Sequence, residues 1–217
     1  LTENFDSQAD EIIEKLQQTA NRIFNRNSAV VAVSCSDAML VNFNEHVPAF
    51  FARLNDATPQ FYDYQFELEP KNEAFLTASQ VQYVVQGYDL NKLGYDFDGK
   101  LYVLNQVLSR DYLQNTIRVM GGAYGGFAGF GRDGLVYFGS YRDPNLEKTL
   151  ENYAASPKFL QEFDVDESTM TRFIIGTIAR MDRPLTPDQQ GKRALSWHFS
   201  NTKYDDMQMY RDQVLST

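Results

Sequence analysis

The chain has 217 residues with 43% hydrophobic and 14% aromatic content, enough to fill a hydrophobic core. Its 20 basic residues are scattered and are outnumbered by 29 acidic ones, for a formal net charge of −9, so no nucleic-acid partner is expected. No apolar run approaches the roughly 18 residues that a membrane span needs, so no membrane partner is expected either.

Three further features of the composition bear on origin and partners. Cys35 is the only cysteine, which excludes an internal disulfide and fits a reducing compartment; because it follows an apolar run, we expect a buried structural thiol rather than a nucleophile. The acidic balance either steers cationic peptides towards the protein or only keeps it dissolved. The first residue is Leu1 rather than Met, which predicts a processed product or a fragment of a larger protein.

The first two predicted elements are a helix and a strand. Residues 7–26 place apolar side chains at helical spacing, with Ser7 and Asp10 as a predicted N-terminal capping pair. The run SAVVAVSCS, residues 28–36, is short, apolar and β-branched, as buried strands are. We therefore expect an amphipathic helix followed by a strand inside a sheet.

A second helix and a second strand follow, separated by a long connection. Residues 37–54 return to helical period, whereas residues 55–78 show no steady period and have room for one short strand. Residues 79–88 alternate apolar with polar side chains, which predicts a half-buried strand. The apolar members of that alternation are Val81, Tyr83 and Val85.

The middle of the chain predicts a helix, a glycine-rich turn, a strand and another helix. Residues 97–118 have helical spacing, and residues 135–141 form a predicted strand. Asp143 and Pro144 are then typical of an N-cap and a proline at the first helical position, opening a helix that ends near residue 155.

Two more helices are predicted over residues 167–182 and from Thr186 onward, where a second capping pattern occurs. Predicted strands thus come in adjacent pairs and predicted helices in runs. This order favours an α+β fold, with helices packed on one face of a mainly antiparallel sheet, over a doubly wound α/β fold.

The sequence IRVMGGAYGGFAGFGRDG, residues 117–134, holds seven of the thirteen glycines. Glycine-rich loops cradle phosphates when they follow a strand and open a helix, usually with a Lys–Ser/Thr pair. Here the glycines follow a predicted helix and precede a strand, and that pair is missing, so a phosphate site is disfavoured. We expect instead that Gly121 ends the helix in a left-handed conformation and that Gly122 lets the chain reverse tightly.

This turn is expected to bring Arg118 and Tyr124 close together in space. Arg118 falls in the last helical turn and Tyr124 at the start of the strand. Composition alone favours structural roles for both, with Arg118 as a cation at a helix C-terminus and Tyr124 as a packed aromatic ring.

The residues around the turn also resemble a known family. RVMGGAYG, residues 118–125, continued by SYRDPN, residues 140–145, is similar to the signature of the last domain of presequence-protease-type zinc metallopeptidases, in the pitrilysin/insulinase superfamily. The order of the surrounding elements is similar as well, and the resemblance covers nearly the whole chain.

The resemblance implies that residues 1–217 form the single C-terminal domain of a four-domain peptidase, whose two halves enclose a chamber for short unstructured peptides. Zinc would lie on an H-x-x-E-H motif in the N-terminal half of the same polypeptide. Arg118 and Tyr124 would hydrogen-bond the substrate near the scissile bond and stabilise its oxyanion. The residues expected to shape the supporting turns are Gly121, Gly122, Asp143 and Pro144.

The two histidines, His46 and His198, depart from that family's zinc motif. No H-x-x-E-H occurs, and a site of that type needs two histidines on one helical turn plus a carboxylate. We therefore expect no zinc on this chain and expect both histidines to be packing or surface groups. A second hypothesis stays open, because relatives of the same fold serve as non-catalytic scaffold or assembly subunits. The expected compartment of the parent is the bacterial cytoplasm, with the interior of mitochondria or plastids as the alternative.

Overall fold

The computed structural model describes residues 5–66, 69 and 71–217, and the chain divides into two compact units. One unit is Leu1–Asn72 with Leu185–Ser200, and the other is Glu73–Pro184 with Asn201–Thr217. Within the described ranges, no helix has both the length and the apolar character that crossing a bilayer requires.

Helices and strands follow one another in an order close to that predicted. They are α1 (Phe5–Ile23), α2 (Asp37–Phe51), β1 (Gln82–Asp89), a 3₁₀ turn (Asn91–Leu93), α3 (Lys100–Val107), a π-helix (Leu108–Val119), β2 (Gly125–Phe130), β3 (Leu135–Asp143), α4 (Glu147–Gln161), α5 (Glu167–Met181), α6 (Pro187–Phe199) and α7 (Tyr204–Leu215).

The first unit contains α1 and α2, which the apolar periodicity predicts, and α6, which the capping pattern at Thr186 predicts. α6 begins at the predicted capping box, in which the backbone N–H of Thr186 donates to Gln189 Oε1 at 3.3 Å. Ser7 lies inside α1 rather than at its cap, because the helix already includes Phe5.

The strand predicted over residues 28–36 does not form, since residues 29–36 adopt no regular structure. β-branched composition is a local property, whereas a strand exists only when a neighbour completes its hydrogen bonds. Among the described residues of this unit, the β pairing present is an isolated parallel bridge between Asn25 and Asn55. The described part of residues 55–78 also contains no strand.

The second unit is built on an antiparallel sheet with the strand order β1–β3–β2. The π-helix, α3 and α4 pack against it. Side chains of the core cluster that expose 4% of their surface or less include, from β1, the π-helix and α4, Val84, Leu108, Leu113, Ile117 and Tyr153. The predicted α+β fold is therefore confirmed.

Strand β1 alternates as predicted, but the side chains that it buries are not the predicted ones. Val84 is 4% exposed, whereas Tyr83 and Val85 are 72% and 67% exposed. Both sets contain apolar residues, so the alternation identifies two faces without saying which one the helices cover. The consequence is an apolar outer face of the sheet.

Strand β3 contains a bulge near its end. Its pairing with β1 steps from Val84–Ser140 to Gln82–Asp143, so β3 carries one extra residue there, and Arg142 has a φ of 49°. In an unbroken strand, Ser140 and Asp143 would point to opposite faces. The bulge returns Asp143 to the side of Ser140, which is the buried side.

Candidate functional site

Arg118 lies in the last turn of the π-helix, directly before the chain reverses. The backbone N–H of Gly122 donates to the carbonyl of Arg118 at 3.0 Å, and that of Ala123 donates to the carbonyl of Ile117 at 3.1 Å. Strand β2 begins two residues later, at Gly125, and Phe127 is its first aromatic side chain. The predicted tight turn from helix to strand is therefore present.

The left-handed residue of this turn is Gly122, with a φ of 78°, and not Gly121 as predicted. The reason lies in the helix, where the N–H of Met120 donates to the carbonyl of Asn115, five residues back, at 2.9 Å. This wider turn carries the helix one residue further than an α-helical period implies. Gly121 has a different role, since a Cβ there would lie 2.5 Å from the carbonyl oxygen of Ile117.

The turn brings Arg118 and Tyr124 together. The guanidinium carbon of Arg118 lies 5.7 Å from the centre of the Tyr124 ring, within the range of a cation–π contact. Tyr124 is 57% exposed, and Arg118 is exposed as well. At such exposure the contact is worth about 0.5–1 kcal/mol, enough to bias the two side chains towards each other without locking them.

The polar heads of this pair are available to a ligand. Within the described part of the chain, neither the guanidinium of Arg118 nor the hydroxyl of Tyr124 takes part in a hydrogen bond or an ion pair. A guanidinium offers five N–H donors and a phenol offers one O–H donor. The turn therefore presents several hydrogen-bond donors that no described residue uses.

Tyr124 is supported from the sheet by Tyr141. The ring centres of the two tyrosines are 5.1 Å apart, with 58° between the ring planes. Tyr141 lies across from Gly125 in the pairing of β2 with β3, and a Cβ at Gly125 would come within 2.6 Å of the Tyr141 ring. The absence of a side chain at Gly125 thus lets the Tyr141 ring lie over the backbone of β2, next to Tyr124.

A buried carboxylate organises the segment behind the pair. Asp143 is fully buried and accepts hydrogen bonds from Ser140 Oγ at 2.6 Å, from Thr149 Oγ1 at 2.7 Å and from the backbone N–H of Asn145 at 2.9 Å. These donors come from β3, the following loop and α4. Asp143 therefore holds the end of the strand and the start of the helix in one arrangement.

The helix after β3 begins at Glu147, so Asp143 is not its N-cap and Pro144 is not its first helical residue, contrary to the prediction. Asp143 instead ends β3 and fixes the turn from inside. Pro144 packs beside the left-handed turn, where its Cγ would lie 3.8 Å from a Cβ on Gly122. The Asp-Pro pattern of a helix start is present, but the Asp143 carboxylate accepts hydrogen bonds from buried donors and does not cap the helix.

Asn145 joins the segment around Asp143 to the turn after Arg118. The sequence patterns predicted no role for it. Its side-chain Nδ2 donates to the carbonyl of Gly121 at 2.6 Å. Asn145 belongs to the SYRDPN motif, so a signal was present, but the partner 24 positions earlier appears only in the folded chain. Through this bond the turn that carries Arg118 and Tyr124 is tied to Asp143.

The described residues contain no group of three His, Cys, Asp or Glu side chains that could hold a metal ion. His46 and His198 are exposed, and the ring Nδ1 of His46 lies 2.9 Å from the carbonyl of Asn42. Cys35 is exposed, so the expectation of a buried thiol was wrong. It sits in the 29–36 segment that does not form a strand.

Comparison with known proteins identifies the relatives of this chain. The family described as "PreP C-terminal domain" matches residues 72–217. Protein HypA of Clostridium perfringens (strain 13 / Type A) is 40% identical over 205 residues, which are 94% of this chain and 21% of that protein. Presequence protease 1, chloroplastic/mitochondrial, of Arabidopsis thaliana is 33% identical over 219 residues, which are 100% of this chain and 20% of that protein.

A third relative, "Presequence protease, mitochondrial" of Drosophila melanogaster, is 25% identical over 213 residues, 95% of this chain and 20% of that protein. The chain thus spans about a fifth of the length of these relatives. The family match covers well over half of the chain and includes the motifs around Arg118 and Asp143. The chain belongs to the PreP C-terminal domain family.

Proposed function

We propose that the chain is the zinc-free C-terminal domain of a metalloendopeptidase that degrades short unstructured peptides in a closed chamber. Its partners are then the N-terminal half of the same polypeptide and the peptide substrates. The family match and the relatives named presequence protease support this proposal, as does the chain's span of about a fifth of their length.

The observation that carries the proposal is the pair of unused donors at Arg118 and Tyr124. When a peptide bond is attacked, its carbonyl oxygen becomes negative, and donors that already point at that position stabilise the transition state. The guanidinium carbon of Arg118 lies 5.7 Å from the centre of the Tyr124 ring, and neither polar head has a hydrogen-bond partner among the described residues. In this proposal, Arg118 and Tyr124 orient the substrate carbonyl and bind the developing oxyanion.

The metal chemistry belongs to another part of the parent. The described residues offer no ligand set that fits a zinc ion, so the proposal assigns zinc to the N-terminal half. When bound there, zinc would activate a water molecule and polarise the carbonyl. The contribution of this chain is the positioning of the carbonyl oxygen, through hydrogen bonds that strengthen as negative charge develops.

The test uses the intact parent with Arg118→Ala and Tyr124→Phe. Loss of one oxyanion donor costs roughly 2.7–4 kcal/mol of barrier, so each variant should lower kcat by about 10²- to 10³-fold. Tyr124→Phe is the sharper variant, since it keeps the ring contacts with Arg118 and Tyr141 and removes only the hydroxyl.

The matched control is Tyr95→Phe, which removes a phenol that is 65% exposed and lies outside the turn. This variant should retain the parent's kcat. If Arg118→Ala and Tyr124→Phe also cleave peptides at the parental rate, the catalytic role is refuted. The hypothesis of a scaffold or assembly subunit would then take its place.

A further inference from the structure

Among the described residues of the second unit, the helices pack on one face of the sheet, and the opposite face is apolar. Helices pack against the side that carries Val84 and Phe138, whereas Tyr83 and Val85 of β1 point to the other side and are 72% and 67% exposed. Phe127 of β2 joins them at 39% exposure. Contiguous exposed apolar surface of this kind marks a site of interaction.

Glycines and aromatic rings alternate across this outer face. Phe127 and Val85 both pair with Gly139, and a Cβ on Gly139 would lie 2.8 Å from the Phe127 ring. Tyr137 in the same way pairs with Gly129 and its ring lies over that glycine. The rings therefore lie flat on the backbone, and the face is a shallow platform that an extended chain can approach closely.

The platform is continuous with the candidate site. Tyr124 contacts Tyr141 at 5.1 Å between ring centres, Tyr141 lies 6.4 Å from Phe127, and Phe127 lies 6.2 Å from Tyr137. We call these four residues the aromatic band; Val85 borders it, since it pairs with Gly139, over which the Phe127 ring lies. The band begins at the residue that pairs with Arg118 and crosses the outer face of the sheet.

We propose that the aromatic band is a substrate subsite that binds large apolar side chains of the peptide being cleaved. This inference rests on the proposed function, since it takes the scissile carbonyl to lie at Arg118 and Tyr124. It adds a specificity determinant that extends beyond the hydrogen-bonding pair.

The chemistry of the band favours a transient peptide over a permanently docked domain. Three of its four rings are tyrosines. Tyrosine suits a surface that is exposed to solvent until a peptide binds, because its hydroxyl can stay hydrated while its ring is buried. A permanent contact would favour side chains without polar atoms. The net charge of −9 adds long-range attraction for peptides that are basic as well as apolar.

The length of the band sets which substrate positions it reads. Tyr141 and Tyr137 are four residues apart on β3, about 13 Å at about 3.3 Å per residue. An extended peptide spans that distance with about four residues. The band therefore selects apolar side chains about two to four residues from the scissile carbonyl, on the side of the bond that lies over the sheet.

The experiment measures kcat/KM of the intact parent for pairs of peptides that differ only by Leu or Ser at one position, two to four residues from the cleaved bond on either side. The parent should prefer Leu by about 10-fold on one side. Val85→Ser and Tyr137→Ser should each lower that preference to about 2-fold or less. The control variant Leu93→Ser removes a leucine that is 62% exposed and lies off the sheet, and it should keep the preference.

The outcomes separate the subsite from the proposed catalytic role. No Leu preference in the parent, or the same preference after Val85→Ser and Tyr137→Ser, overturns the subsite. If Val85→Ser and Tyr137→Ser lower the rate equally for both peptides and also lower the melting temperature of the parent, the band packs against another domain. That result overturns the subsite as well. A Leu preference that Val85→Ser removes, in a parent that tolerates Arg118→Ala, supports the subsite while refuting the catalytic role.

Discussion

Removal of the Asp143 carboxylate should destabilise the second unit more than its single side chain implies. The carboxylate accepts three hydrogen bonds, from Ser140, Thr149 and the Asn145 N–H, and is fully buried. In Asp143→Ala all three donors lose their acceptor in a place that water does not reach. An unsatisfied buried donor costs about 1–3 kcal/mol, so three of them cost about 3–9 kcal/mol before any relaxation.

Two effects reduce that sum. The substitution also removes a buried carboxylate that has no cationic partner within 4.0 Å among the described residues, which returns part of its desolvation cost. The hydroxyls of Ser140 and Thr149 can in addition rotate towards backbone carbonyls. We therefore expect Asp143→Ala to lower the free energy of unfolding by about 3 kcal/mol, the bottom of the range.

The control substitution is Asp143→Asn, which keeps the volume and one carbonyl oxygen. The Asn145 N–H keeps its acceptor, and the two hydroxyls can accept from the new amide. The remaining loss is the difference between hydrogen bonds to a charged and to a neutral group, about 1 kcal/mol.

The assay is urea denaturation of the chain followed by near-ultraviolet circular dichroism of tyrosine. All tyrosines except Tyr62 and Tyr64 lie in the second unit, whereas Trp197 lies in the first, so the tyrosine signal reports on the unit that contains Asp143. The reasoning from buried donors would be refuted if Asp143→Ala were as stable as the unsubstituted chain. It would also be refuted if Asp143→Ala and Asp143→Asn lost the same free energy of unfolding.

Two further predictions concern the turn and the core. Gly122→Ala and Gly94→Ala should each lower the free energy of unfolding by about 1–2 kcal/mol, because both glycines have positive φ, 78° and 80°, and an added Cβ would meet no atom closer than 3.8 Å. Gly121→Ala should cost more, since its Cβ would lie 2.5 Å from the Ile117 carbonyl oxygen. Urea denaturation that gives the reverse order would contradict this. Burial raises the pKa of Tyr153 from its ordinary 10.0 to about 12, so the folded chain holds this proton more tightly than the unfolded chain. That contribution to stability is complete below pH 10 and is lost as the pH rises towards 12; in stability measured against pH, Tyr153→Phe should fall less steeply over this window, and an unchanged slope would argue against it.

Local patterns of the sequence determined most of the helices. The apolar period of 3.6 residues locates α1, α2 and α5, and the Thr186 capping box locates the start of α6. Helices can be located in this way because their backbone hydrogen bonds close within a few residues. The motif around Arg118 and Tyr124 likewise indicated the family and the pair that the turn brings to 5.7 Å.

Only the tertiary structure decided features that depend on distant partners. Residues 28–36 have the composition of a strand, but without a neighbour they form none, and β1 buries Val84 rather than Tyr83 because the helices cover that side. Asp143, followed by proline, has the sequence pattern of a helix cap. Because a bulge in β3 turns it inward, its carboxylate instead accepts hydrogen bonds from Ser140 and Thr149. Hydrogen-bond partners and the covered face of a sheet are set by packing between segments far apart in the chain, which periodicity along the sequence does not record.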